Sequence, residues 1–94
     1  MIANHGGFTW EVTAVPAREV TEGTLVCLLV DSVRAALAAG DPALIDWDEV
    51  AGNQIKVRSI RQSEDEPDWL QMEEFDRVIF VHRHAHMAVW ERRH

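Results

Sequence analysis

From Phe8 to Val15 the chain reads Phe-Thr-Trp-Glu-Val-Thr-Ala-Val, with apolar and polar residues alternating. A period of two predicts a strand with one buried and one wet face. Phe8, Trp10, Val12 and Ala14 share the inward face, and Thr9, Glu11 and Thr13 the other. Pro16 has no N–H to give a ladder and closes the strand. The spacing then turns helical. Leu25, Leu29, Val33, Ala36 and Leu37 form a stripe that predicts a helix over about Glu22–Ala39. Thr21 or Thr24 would cap it, and Gly40 suits the left-handed stop just past its end. Asp31, Ser32 and Arg34 fall on its wet side. Val26 and Val30 widen the apolar face beyond one stripe, so the helix either crosses a sheet or is covered by a second copy of the chain.

Asp41-Pro42 is an N-cap followed by proline at the first helical position, predicting a short helix from Pro42 to about Val50. Gly52-Asn53 reads as a turn. Gln54 to Ile60 alternates and predicts a strand with Ile55 and Val57 inward. Gln62 to Asp68 is acidic, contains Pro67 and reads as a loop. Trp69 to Phe75 fits a helix or a strand, and strand or turn is preferred. Arg77-Val78-Ile79-Phe80-Val81 begins a β-rich segment that runs on to Glu91, as one long strand or as two strands joined near Ala85. Strand, helix, short helix, then strands predicts an α+β fold. The expected architecture is a small antiparallel sheet of about three to five strands, with both helices on one face.

Composition narrows the function classes. The 94 residues suit one domain. Sixteen acids against nine Lys and Arg give a net charge of −7. Such a surface repels free nucleic acid and anionic membranes and attracts a cationic partner. Residues 1–50 hold eight acids and two bases, whereas Arg77, Arg83, Arg92 and Arg93 face Glu91 alone near the C-terminus. Cys27 is the single cysteine, so no internal disulfide can form, and a reducing, cytoplasmic setting is expected. Its apolar neighbours predict an inert, buried thiol. Met1 to Gly7 has neither a basic start nor an apolar core, so no secretory leader is expected. The longest apolar run, Leu25 to Val30, is far shorter than the roughly 20 residues that span a bilayer.

Candidate chemistry lies in three places. His82, His84 and His86 alternate, and on one strand their imidazoles would form a row. Imidazole is a common ligand for zinc, copper and nickel. His82 and His86 would stand about 13 Å apart along such a strand. One ion would therefore take His82 with His84, or His84 with His86, and recruit His5, His94 or carboxylates. A solvated strand face is the commoner outcome for such a row. The segment His84-Ala85-His86-Met87-Ala88-Val89-Trp90-Glu91 resembles the His-x-His-x4-Glu core of the first cupin motif. The resemblance covers eight residues and lacks the flanking glycines; three residues follow it, and no cupin barrel is expected.

The second place is the set of acid clusters: Asp46, Asp48 and Glu49; Glu64, Asp65, Glu66 and Asp68; and Glu73, Glu74 and Asp76. They lack the Asp-x-Asp-x-Asp-Gly spacing of a calcium loop. The third is Trp47 and Trp69, each beside acids, where an aromatic ringed by charge makes a binding hot spot. Serine-elbow, zinc-protease, phosphate-loop and dinucleotide motifs are missing from the sequence. No catalytic residue and no cofactor is expected. The reading is a non-catalytic protein-binding module that docks on a basic surface of its partner. The expected contact is Asp46, Trp47, Asp48, Glu49, Glu64, Asp65, Glu66, Asp68 and Trp69. Inhibitors that occupy a nucleic-acid-binding face, as many phage counter-defence proteins do, share this composition. The alternatives are a metal-binding protein using His82, His84 and His86, and a structural subunit. Self-association as a homodimer is also expected, through the broad apolar face of the Glu22–Ala39 helix or an exposed sheet edge.

Overall fold

The computed structural model describes residues 1–93. In chain order they form β1 (Ile2–His5), β2 (Phe8–Pro16), β3 (Leu25–Leu28), α1 (Asp31–Ala39), α2 (Trp47–Asn53), β4 (Gln54–Lys56), β5 (Ser59–Gln62), β6 (Trp69–Glu74), β7 (Arg77–His82) and β8 (His86–Arg93). Short 3-10 turns occupy Ala17–Glu19 and Pro42–Leu44. The strands make a five-stranded sheet in the order β1-β2-β8-β3-β4 and a three-stranded sheet in the order β5-β6-β7. All pairings are antiparallel. The fold is α+β, as the sequence predicts, with a second sheet beyond the single one expected.

The layers follow from which faces must be dry. The central strands β8 and β3 are apolar at every position of their middle stretches, so each must bury both faces. Met87, Val89, Val26 and Ile55 pack on Met72, Ile79 and Val81 of the small sheet. On the opposite face Ala88, Trp90 and Cys27 pack on Val33 and Ala36 of α1, and on Ile45 and Val50 in and before α2. The large sheet is thus the middle of three layers, with helices on one side and the small sheet on the other. Gly6 and Gly7, with φ of 62° and 80°, form the two-residue link of the β1–β2 hairpin. Both central positions of such a turn need positive φ.

The structure corrects several expected elements. The helix predicted from Glu22 is helical only over Asp31–Ala39, and Leu25–Leu28 is strand β3. A four-residue apolar run fits either period, and two buried faces decide for the strand. Thr21 and Thr24 therefore cap nothing; their hydroxyls lie 3.2 Å apart. Val26 is fully buried inside the chain, so the broad helix face that motivated self-association does not exist. The short helix splits into the Pro42–Leu44 turn, capped by Asp41, and α2, capped by Asp46. Gly52 and Asn53 belong to α2 rather than to a turn. Gln54–Ile60 is broken at Val57–Arg58, where the chain passes from the large sheet to the small one. Phe8 and Ala14, placed inward by alternation, are exposed, while Val12 is buried. The C-terminal segment is two strands, β7 and β8, turning through Arg83–Ala85.

Candidate functional site

At one end of the small sheet three connections meet: the β5–β6 loop, the β7–β8 turn and the Ala17–Glu19 turn. The loop is held by its own hydrogen bonds. Trp69 N–H donates to Glu66 O at 3.0 Å, and Ser63 N–H to Trp69 O at 3.1 Å. The Gln62 side chain donates to Pro67 O at 2.6 Å. With its backbone satisfied internally, the loop turns Glu64, Asp65, Glu66 and Asp68 outward, all exposed. Arg83 N–H donates to Asp68 O at 2.8 Å, and Arg18 N–H to Arg83 O at 3.0 Å, so the three connections form one hydrogen-bonded unit.

Trp69 stands at the start of β6 with 40% of its surface exposed. Its register partner is His82, and the two rings meet edge to face at 5.6 Å. His84 lies next in line, its ring 5.4 Å from that of His82. The His84 backbone N–H donates to His82 Nδ1 at 3.2 Å. Arg18 Nη1 lies 3.0 Å from His84 Nδ1. A guanidinium only donates, so that imidazole nitrogen accepts and the neutral ring carries its proton on Nε2. Arg83 and Asp68 approach to 4.0 Å across an exposed gap, a pair worth little by itself. A groove of about 390 Å³ runs along Glu66, Pro67, Asp68, Trp69 and His82.

The other candidates go elsewhere. His86 opens β8 beside Pro16, beyond the bend, so the three histidines form no row. His5 stacks on Trp47 at 4.0 Å with the rings nearly parallel. Among the described residues no group of three or more His, Cys, Asp or Glu converges as a metal ligand set would. His94 lies outside the described residues. Glu91 is five residues along β8 from His86, about 17 Å at strand rise, so the cupin-like residues do not converge either.

Trp47 is half-buried on the helical layer, 5.5 Å from Trp90, and belongs to that core. Asp46 caps α2, accepting from Asp48 N–H at 3.1 Å and Glu49 N–H at 3.3 Å. Asp46, Asp48 and Glu49 therefore sit on the opposite side of the large sheet from Glu64–Asp68. The nine residues expected to form one contact lie on two separate surfaces. Cys27 is buried, and the Trp90 indole donates to its sulfur at 3.3 Å. Burial pushes the thiol's pKa up, against a smaller downward pull from that hydrogen bond, which leaves it a poor nucleophile.

Sequence reasoning missed Arg18, Val78, Phe80 and the role of Arg83. Val78 and Phe80 alternate with buried Ile79 and Val81, and they expose 44% and 64% of their surfaces on the outer face of the small sheet. That alternation is legible at Arg77–His82; the missing signal was that a second sheet leaves this face uncovered. Among the described residues no helix is long and apolar enough to cross a membrane. Comparison with protein-family models, with curated proteins and with solved structures finds no match to this chain.

Proposed function

We propose that this chain is a non-catalytic binding module whose small sheet docks on a basic surface of a partner protein. One observation carries the reading: exposed Trp69 sits on His82 within a sheet whose residues 59–82 hold seven acids against Arg61 and Arg77. Arg58, Arg83 and Arg18 border that segment, so the acid excess is concentrated at Glu64–Asp68 and Glu73–Asp76. Charge of that density steers a cationic partner to this face and speeds encounter. Charge alone gives little affinity, and a partly exposed tryptophan supplies the anchor that desolvates on contact. A nucleic-acid-binding face, rich in Lys and Arg, is the partner surface that fits best, and occupying it would inhibit that partner.

The reading gives Asp46, Trp47, Asp48 and Glu49 a lesser part than Glu64–Trp69, because Trp47 is committed to the core. The test is affinity capture of the partner from the native host, followed by kinetics with variants. Reversing Glu64, Asp65 and Glu66 to lysine should slow association, and added salt should do the same to the unaltered chain. Trp69→Ala should mainly speed dissociation. Binding that survives both changes and fails instead on reversal of Arg83, Arg92 and Arg93 would place the contact on the C-terminal strand.

A further inference from the structure

Resting on that reading, we propose that the partner contributes an extended segment that adds to the small sheet as a fourth strand beside β7, with apolar residues at its centre and Lys or Arg at its ends.

The backbone of β7 decides the point. Arg83 N–H points to β6, since it donates to Asp68 O. Along an antiparallel strand the direction alternates, so Arg77, Ile79 and Val81 also face β6. Val78 and Phe80 turn their N–H and C=O groups the other way, to the outer edge of the sheet. Among the described residues no backbone or side-chain group takes them. Backbone groups in such a row are a template for another strand.

The strand across the groove is closed. Lys56 N–H of β4 donates to a Glu74 carboxylate oxygen at 3.2 Å. Gln54 O accepts from Arg77 Nη1 at 2.7 Å. Glu74 and Arg77 are register partners at the tip of the β6–β7 hairpin, and together they plug the edge of β4. Of the two facing edges only β7 is left to pair. Between them runs a groove of about 440 Å³ lined in part by Leu28, Ile55, Val78, Ile79 and Phe80.

The groove and the charge specify the occupant. Side chains directly opposite each other in a ladder share a face. Residues opposite Val78 and Phe80 would lie with them on the outer face, where apolar or β-branched groups pack best. The residue opposite Ile79 would enter the groove against Leu28 and Ile55. Acids stand at both ends of β7: Glu66 and Asp68 beyond His82, where Arg83 pairs with Asp68, and Glu74 and Asp76 before Arg77, where one Glu74 oxygen already accepts from Lys56 N–H. A cationic end on each side of an apolar centre matches them. A second copy of this chain does not, because antiparallel pairing of β7 with itself would bring Glu66 and Asp68 of one copy toward Glu74 and Asp76 of the other.

The experiment uses the full chain and a synthetic probe, a peptide with a valine–threonine core and lysines at both ends. Backbone amide exchange is followed with and without it. The expected result is slowed exchange at Val78 and Phe80. At roughly nine-tenths saturation these amides exchange only from the free tenth, about tenfold slower. N-methylation of alternate core amides keeps the peptide's charge and should abolish the protection. Phe80→Pro removes a donor that no partner within the chain uses and should abolish it too. Binding that persists unchanged with the N-methylated peptide overturns strand addition and leaves the cationic reading intact. Equal protection by a glutamate-flanked peptide keeps strand addition and overturns the cationic reading. Absence of protection by either peptide overturns strand addition. Protection that grows with protein concentration alone identifies a second copy as the occupant and overturns the choice of partner.

Discussion

Arg77 offers the sharpest test of how the layers are joined. Its guanidinium reaches from the small sheet and donates to Gln54 O at 2.7 Å and to Gly52 O at 2.9 Å. Both carbonyls belong to the junction where α2 ends and β4 begins, and α2 has no glycine stop to satisfy its last carbonyls. The arginine is thus a C-cap supplied from another layer, with its charge at the favourable end of the helix. Arg77→Ala removes both bonds. Gly52 is exposed and its carbonyl can take water, so that loss is cheap. Gln54 is half-buried, and its orphaned carbonyl costs about 1–2 kcal/mol, with a few tenths more from the helix end. The expected total is about 2 kcal/mol. For a domain of this size that corresponds to a melting temperature lower by roughly 10 °C. Arg77→Lys keeps the charge without the fork and should recover no more than about half of the loss. Urea unfolding measures all three proteins, and amide exchange should rise first at Asn53–Lys56. An Arg77→Ala variant within about 0.5 kcal/mol of the parent, the range of ordinary surface changes, would refute the idea that this side chain ties α2 and β4 to the small sheet.

Three further outcomes are expected. Met72→Ala, at a side chain with no exposed surface in the middle of the inter-sheet core, should cost about 2–5 kcal/mol in urea unfolding; a cost below 1 kcal/mol would mean that the two sheets do not pack as described. Cys27 has a raised thiol pKa in the folded chain, so the unfolded chain loses its thiol proton first. That contribution is complete below the ordinary thiol range and shrinks as pH rises above about 8.5, by up to about 1.4 kcal/mol per pH unit; unfolding measured across that range should show this slope in the parent and not in Cys27→Ala, and the native thiol should resist alkylation. Neither core cluster contains a histidine, so a chelator should leave the melting temperature unchanged, and a drop of more than a few degrees would return His82 and His84 to the list of metal ligands.

Much of the fold was legible where one face of a strand meets water. The strand at β2, the Asp41-Pro42 start and Gly40 as the helix stop follow from period and turn chemistry, whereas period alone left Arg77–Glu91 open between one strand and two. The reading failed at Leu25–Leu28 because strands buried on both faces lose their alternation. A run of apolar residues next to an amphipathic helix then looks like its first turns. The same physics hid the large sheet's centre. Met87, Ala88, Val89 and Trp90 are buried in succession, which only a three-layer arrangement allows. The passage from β4 to β5 was hidden for another reason. Ile55 and Val57 are inward in both readings, and the break falls where one inward residue serves two sheets.

The site was legible in its parts and not in its grouping. Acid clusters and tryptophans can be counted in a sequence, but whether they share a surface depends on which layer carries each. Trp47 and Trp69 have the same local setting, an aromatic with acidic neighbours. One is drawn inward by Trp90 and His5 on the helical layer; the other meets the His82 ring edge to face and stays exposed. The histidines carry the same lesson. Their alternation promised a row, but Ala85 N–H donates to His82 O at 2.9 Å and closes a tight turn between them. The turn carries His82 and His84 toward Trp69 and Arg18 and sends His86 into the large sheet. The expected row of three is thus a turn between two sheets, which keeps His82 and His84 together and parts them from His86.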